Sequence, residues 1–310
     1  MALFAAAVGN PPYNARQCDT NNFMPSIYHL VISSALRHAK TGAFIFPARG
    51  FYGGGSADVS AWARGELEEG RFTLVSLYRD SSPIFGFQIS GGVCVCRWSD
   101  DAIQPSGFAD FVPRELRGAL SYRGEAFSDH FLLCLSFAGK RRVAIESNAF
   151  DKLPDIFRDT SSAGASGEIK VLGRQGGKRV WKWADAGLFD KSGLEERQSW
   201  RVAIGQASSY KKGARLSHPQ LLAPGECVTN TFREAGPFAT REEAENCLKY
   251  LATPFLLDRL GILKVTQSAS PHAWRFVPWP DFSPSSDIDW LQGVEEINGE
   301  LEKKYPPASA

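Results

Sequence analysis

An α/β fold with an antiparallel edge hairpin, followed by an α+β domain, is predicted on three observations. Strand-like and helix-like segments alternate over the first hundred residues, apolar strands run straight into turn residues, and from residue 100 short strands fall irregularly between Gly and Pro. In order, residues 4–9 read as a strand, about 26–40 as a helix, 43–47 as a strand, 57–69 as a helix and 72–78 as a strand. Runs 84–90 and 92–98 read as a hairpin turning at Gly91. The alternation predicts a mostly parallel sheet with this hairpin as its antiparallel edge. Beyond it, Phe131–Phe137, Ile169–Leu172 and Trp200–Ala207 read as strands. Thr240–Leu251 reads as a helix opening on a Thr cap with acids in its first turn, and Pro254 restarts the chain toward a helix at about 255–262. The end from Tyr305 is rich in Pro, Ala and Ser and is expected to fray.

The chemistry concentrates in Asn10-Pro11-Pro12-Tyr13, directly after the apolar run that closes at Val8-Gly9. A conjugated exocyclic amine is a poor nucleophile. An Asn oxygen and a Pro carbonyl accepting its two hydrogens push the lone pair toward attack, and Pro's fixed φ holds that carbonyl still. The aromatic that follows suits stacking on a base swung out of a duplex. Two prolines in four residues also suit an ordinary turn, so the surrounding sequence has to decide.

Phe4-Ala5-Ala6-Ala7-Val8-Gly9-Asn10-Pro11-Pro12-Tyr13 resembles the Phe-Asp-x-x-x-Gly-Asn-Pro-Pro-Tyr of the adenine-specific DNA methyltransferases of restriction-modification systems. Further along the chain, Ile27-Tyr28-His29-Leu30, Phe46-Pro47-Ala48-Arg49 and Gly91-Gly92-Val93-Cys94 resemble later motifs of that family. Thr229-Asn230-Thr231, Phe238–Glu245, Lys264–Gln267 and Trp274–Pro278 follow in order. The likeness is weakest between about 100 and 200, where such enzymes read different DNA sites. It implies a Rossmann-like partial methyltransferase sheet over 1–100, a target-recognition domain over 101–265 and a C-terminal segment over 266–310. It also implies methyl transfer from S-adenosylmethionine to the N6 amine of a flipped adenine in double-stranded DNA. Asn10, Pro11, Pro12 and Tyr13 are then the catalytic residues, with Arg49 and the loop Phe51–Gly55 near the DNA or target base.

Two departures qualify this. Ala5 stands where the family has an acid. The family's cofactor segment, a Gly-rich strand-to-helix turn with an acid for the ribose, lies upstream of the catalytic motif, and nine residues precede Asn10 here. Downstream, Gly173–Gly177 and Ile204–Ser208 are the nearest candidates, and both read better as surface turns. The expectation is therefore the catalytic or specificity subunit of such an enzyme, its cofactor half supplied by a partner subunit. The alternative is an inactive DNA-binding module or remnant.

At 310 residues with 43% apolar and 22% charged content, the chain can bury the cores of two domains. No run of eighteen apolar residues and no basic leader occurs, which points to a cytoplasmic protein without a membrane partner. Its six cysteines, at 18, 94, 96, 134, 227 and 247, include no Cys-x-x-Cys and read as reduced structural thiols.

Net charge is only +1, yet residues 138–215 hold 16 Lys and Arg against 9 Asp and Glu. Lys140-Arg141-Arg142, Arg174, Lys178-Arg179, Lys211-Lys212 and Arg215 are the candidate phosphate contacts, with a solvated charged face as the plainer account. Trp181, Trp183 and Trp200 among them suit a core better than a stacking platform. Asp155 with Glu168-Ile169-Lys170 fits a bare nuclease pattern, but three residues at free spacing say little. The histidines share no metal-ligand spacing, and His29 suits packing under the catalytic loop better than base chemistry.

Overall fold

The computed structural model describes residues 4–15, 24–99, 104–139, 143–161, 167–208 and 214–306. They form a mixed α/β protein with several sheets, divided into two compact units. The first takes the described residues up to Ser121 together with Gly261–Thr266; the second takes Tyr122–Leu260 and Gln267–Pro306. This division moves residues 104–121 into the first unit and joins 267–306 to the second, unlike the three-part organisation expected from sequence.

The first unit runs β1 (Phe4–Gly9), α1 (Tyr28–His38), β2 (Ala39–Pro47), α2 (Ala57–Glu69), β3 (Phe72–Tyr78), α3 (Ser82–Phe85) and β4 (Val93–Ser99). Its sheet has the order β1-β2-β4-β3. β1 pairs parallel to β2, whereas β4 lies antiparallel to both β2 and β3. Three strands thus share a direction and one is reversed, so only one of the three pairings is parallel, against the mostly parallel expectation. The predicted hairpin partner at 84–90 is not a strand. Pro83 and Gly86 stop extension, Gly86 takes φ +74°, and the Ser81 hydroxyl donates to the Phe87 carbonyl while accepting from the Ile89 N–H. β3 supplies the antiparallel partner instead.

α2 shows why these elements form where they do. Ser56 caps it by accepting from the Val59 N–H at 3.4 Å, and Gly70 closes it in the left-handed region at φ +61°. Val59, Ala63 and Glu66 recur along one buried face. Glu66 is not wasted there: the Trp98 indole N–H donates to it at 2.8 Å and Arg71 pairs with it at 3.0 Å. The core between sheet and helices is aromatic, with Phe51 stacked on Phe111 at 4.2 Å and Tyr28 stacked on Phe46 at 5.6 Å.

The second unit holds β5 (Ser136–Phe137), β6 (Val143–Ala144), α4 (Ala149–Lys152), β7 (Glu168–Gln175), β8 (Lys178–Asp185), α5 (Lys191–Glu195), β9 (Trp200–Gly205), β10 (Gln220–Leu222), β11 (Glu226–Val228) and β12 (Phe232–Phe238). The helices α6 (Arg241–Leu251), α7 (Pro254–Leu263, to Leu260 in this unit) and α8 (Val294–Lys304) follow. β7 and β8 form a hairpin whose two-residue turn, Gly176-Gly177, has φ +54° and +80°, the positive pair that suits strand twist. β11 adds parallel to β7, and β9 lies antiparallel between β10 and β12. Ile169, Val171, Phe150, Phe157, Phe189 and Cys227 share one core cluster, and Leu172, Ala203, Leu222, Val228 and Phe232 another. The strand expected at 131–137 shrinks to β5, with Phe131 making one isolated bridge to Ala235. α6 starts on its Thr240 cap as predicted, the hydroxyl accepting from the Glu243 N–H at 3.2 Å. Tyr305, expected to fray, packs edge-on against Tyr122 at 5.8 Å.

Candidate functional site

Parallel pairing of β1 with β2 sets the geometry of the first candidate site. Gly9 lies opposite Phe44, so the Asn10 loop and the Phe46–Arg49 segment emerge side by side from the same end of the sheet. The carboxyl ends of neighbouring parallel strands are where open α/β sheets take ligands. Asn10 and Pro12 are exposed, Pro11 is buried and Tyr13 is half-buried. The loop is clamped behind the motif: the Tyr13 carbonyl accepts from the Ile27 N–H at 3.1 Å, the Ala15 N–H donates to the Pro25 carbonyl at 2.9 Å, and Asn14 bridges to Ser26. Tyr13 meets Tyr28 edge-on at 6.4 Å, and Tyr28 in turn contacts Phe46 and Trp62.

Arg49 joins this group. Its guanidinium donates to the Ser26 hydroxyl, which donates to Asn14 Oδ1 at 3.3 Å, so the arginine is tied to the motif loop through two side chains. Its backbone is fixed by glycines. Gly91 has φ +87° and lies so close that a Cβ there would stand 2.4 Å from the Arg49 Cβ; next to it, the Gly92 carbonyl accepts from the Ala48 N–H at 3.0 Å. The Gly54 N–H closes the turn on the Arg49 carbonyl at 2.9 Å.

Polar atoms without partners gather here. The Tyr13 hydroxyl, His29 Nδ1, Arg49 Nε and Trp62 Nε1 are buried and make no hydrogen bond among the described residues. Each such group costs about 1–3 kcal/mol unless something satisfies it, so a ligand or ordered water that partners them is favoured here. Burial, with Cys94 nearby, raises the Tyr13 phenol, and burial holds Tyr28 well above the usual phenol range despite the adjacent Arg49. Burial lowers His29, outweighing the pull of Asp58, and the ring packs between Tyr28 and Trp62.

Asn14 and Ser26 are site residues that sequence reasoning missed. Asn14 carried a signal in its adjacency to the motif; Ser26 carried none, since its role depends on the clamp.

The residues at hand do not fit the cofactor the family likeness implies. Gly173 lies within β7, where a Cβ would stand 2.5 Å from the Phe150 ring, Gly176-Gly177 is a hairpin turn, and Gly205 ends β9 beside Ser217. None begins a helix, so none offers the N–H groups of a strand-to-helix turn. The nuclease pattern is likewise occupied: Glu168 pairs with Arg158, and Lys170 pairs with Glu226 at 3.2 Å while standing 4.4 Å over the Trp181 ring. Among the described residues no group of three or more His, Cys, Asp or Glu could hold a metal ion, and no helix is long and apolar enough to cross a membrane.

The second candidate site lies within the second unit. Arg174 and Arg179 are a directly opposed pair one position back from the turn ends of β7 and β8, with Lys178 exposed between Arg179 and the turn. Arg179 donates to the carbonyls of Ser217 and His218, so it gathers the segment that follows the exposed Arg215. Lys140, Arg141, Arg142, Lys211 and Lys212 lie outside the described residues. Trp181, Trp183 and Trp200 are all half-buried, and Trp181 packs on the Leu172 cluster.

No family model matches the chain, and none of the curated proteins compared with it matches either.

Proposed function

We propose that this chain is the catalytic and DNA-recognising part of an adenine-specific (N6) DNA methyltransferase of a restriction-modification system. The observation that carries the reading is the Asn10–Tyr13 loop at the shared end of two parallel strands, beside the Arg49 guanidinium and a cluster of unpartnered buried polar atoms. In this reading Asn10 Oδ1 and the Pro11 carbonyl accept the two hydrogens of the adenine amine and aim its lone pair outward. Tyr13 stacks on the flipped base, and Arg49 neutralises an adjacent phosphate or holds the base edge. Positioning of this kind supplies much of the rate in a transfer between bound groups. S-adenosylmethionine is the methyl donor the family likeness implies, and its site falls to a partner subunit, since the described residues lack a cradle for it. The exposed apolar Phe4 and Val8 on β1, at 63% and 79%, and Leu30 on α1, at 59%, are compatible with such a partner.

The test is transfer of labelled methyl from S-adenosylmethionine to unmethylated duplex DNA, comparing the chain with its Asn10→Ala variant, each supplied with the cofactor-binding partner subunit. Signal that vanishes in the variant while duplex binding persists is the expected result; a fully active variant removes the assignment. A second reading, a DNA-binding module whose loop no longer transfers methyl, is favoured by the misfit of both glycine segments to the cofactor. It predicts duplex binding with no transfer, whichever partner subunit is added.

A further inference from the structure

The turn end of the β7–β8 hairpin opens on a cavity of about 220 Å³ lined by Arg174, Gly177, Arg179, Gly205, Ser217 and Thr231, with Phe232 beneath. Its charge is one-sided. Among the described residues, Arg174 bonds only to the Gly177 carbonyl, at 2.7 Å, and Arg179 only to the Ser217 and His218 carbonyls and to the Ser217 hydroxyl, at 2.8 Å. Among the same residues neither guanidinium pairs with a carboxylate, and none lines the cavity. Burial and the neighbouring Arg174 charge both lower Arg179, as expected for like charges held together without a counterion. Arg174 is exposed and Arg179 half-buried on directly opposed positions, so an anion at this end of the hairpin would be shared by two cations.

The remaining lining suits a tetrahedral oxyanion. The Ser217 hydroxyl accepts from Arg179 and keeps its own hydrogen to donate; Thr231 accepts from Thr229 at 3.0 Å and does the same. Arg179 stands 5.2 Å over the Phe232 ring, which holds the fork in place and keeps water from one side of it. The backbone contributes too: His218, whose carbonyl Arg179 grips, takes φ +33°, a conformation that costs a non-glycine residue about 1 kcal/mol or more and so needs such a hold.

We propose that this cavity is an oxyanion site that takes a single phosphate group between Arg174 and Arg179. The phosphate is either a phosphodiester of a DNA backbone or a phosphomonoester of a small molecule. The first source rests on the DNA-binding side of the function proposed above; the site itself does not.

Inorganic phosphate titrated into the full chain by calorimetry, at fixed ionic strength in chloride, tests it. Binding to the wild-type chain, weakened about tenfold or more in Arg174→Gln and in Arg179→Gln, is the expected result. Arg174→Gln keeps the comparison valid if Arg179→Gln unfolds, because Arg174 bonds only within its own hairpin; circular dichroism checks both. Displacement of phosphate by duplex DNA, with a salt slope of DNA binding shallower by about 0.9 in either variant, identifies the backbone as the source. Phosphate binding that duplex DNA leaves untouched keeps the site, assigns it to a phosphomonoester, and withdraws DNA from this surface. No phosphate binding, or equal binding by wild type and Arg174→Gln, overturns the proposal.

Discussion

At the scale of single residues, the second unit uses its arginines in two opposite ways. The Arg174 and Arg179 guanidinium groups have only neutral partners among the described residues, whereas Arg197 and Arg201, at 1% and 0% exposure, share Glu234, itself 2% exposed. Arg197 donates to Glu234 Oε1 at 2.6 and 2.8 Å, Arg201 donates to Oε2, and their other N–H groups reach the carbonyls of Leu133, Gly193, Ala223 and Glu226. One carboxylate thus holds two buried cations that tie these distant segments to the β9–β12 pair. Such a triad adds little over an apolar core, yet removing one member strands the rest. Glu234→Ala should cost about 3–5 kcal/mol in urea unfolding. A loss below about 1 kcal/mol would mean that the carbonyls alone can neutralise both arginines. Nothing in Phe232-Arg233-Glu234-Ala235 announces this, because an alternating strand sequence says which face a residue takes but not which distant arginines meet it.

At the scale of elements, legibility followed local chemistry. β1, α2, β3 and α6 lie where the sequence puts them, and three of them are bounded by plain stop signals: Asn10-Pro11 after β1, Ser56 and Gly70 around α2, Thr240 before α6. The misread segment, 84–90, alternates apolar residues as a strand does, but a loop folding on Ser81 and Gln88 side chains has the same apolar spacing. α8 was not anticipated; Val294, Ile297 and Leu301 give it an apolar stripe, and Ile297 and Leu301 are buried. In the same way the motif loop was plain from four residues, while its clamp was not, since Asn14, Ser26, Arg49 and Gly91 meet only after the elements around them have packed. Two glycines separate these kinds of information. Gly91 combines φ +87° with the Arg49 backbone against its face, so Gly91→Ala should destabilise by at least about 1–2 kcal/mol. Gly65 lies inside α2 with nothing within 4 Å of an added Cβ, so Gly65→Ala should stabilise by about 0.5–1 kcal/mol. Urea midpoints of the two variants should move in opposite directions. A harmless Gly91→Ala would mean that Arg49 is not held by that contact.

At the scale of the whole molecule, a net charge of +1 gives no long-range pull toward nucleic acid, so the phosphate contacts expected of the local basic excess of residues 138–215 should be read locally. Counterion release turns this into a number. Each neutralised phosphate contributes about −0.9 to the slope of log affinity against log salt. If only the described cations Arg174, Lys178, Arg179 and Arg215 touch the backbone, the slope should be roughly −4; if Lys140, Arg141, Arg142, Lys211 and Lys212 join them, roughly −8. Fluorescence anisotropy of a labelled duplex across a salt series reads the slope directly. A value in that interval counts about four to nine phosphate contacts whether or not methyl is transferred, and a slope shallower by about 0.9 in Arg174→Gln then places DNA on the basic middle of the chain. A slope near zero, with binding retained, would mean that the duplex is held by neutral contacts elsewhere, and the arginines of the β7–β8 hairpin would then be answering a smaller anion.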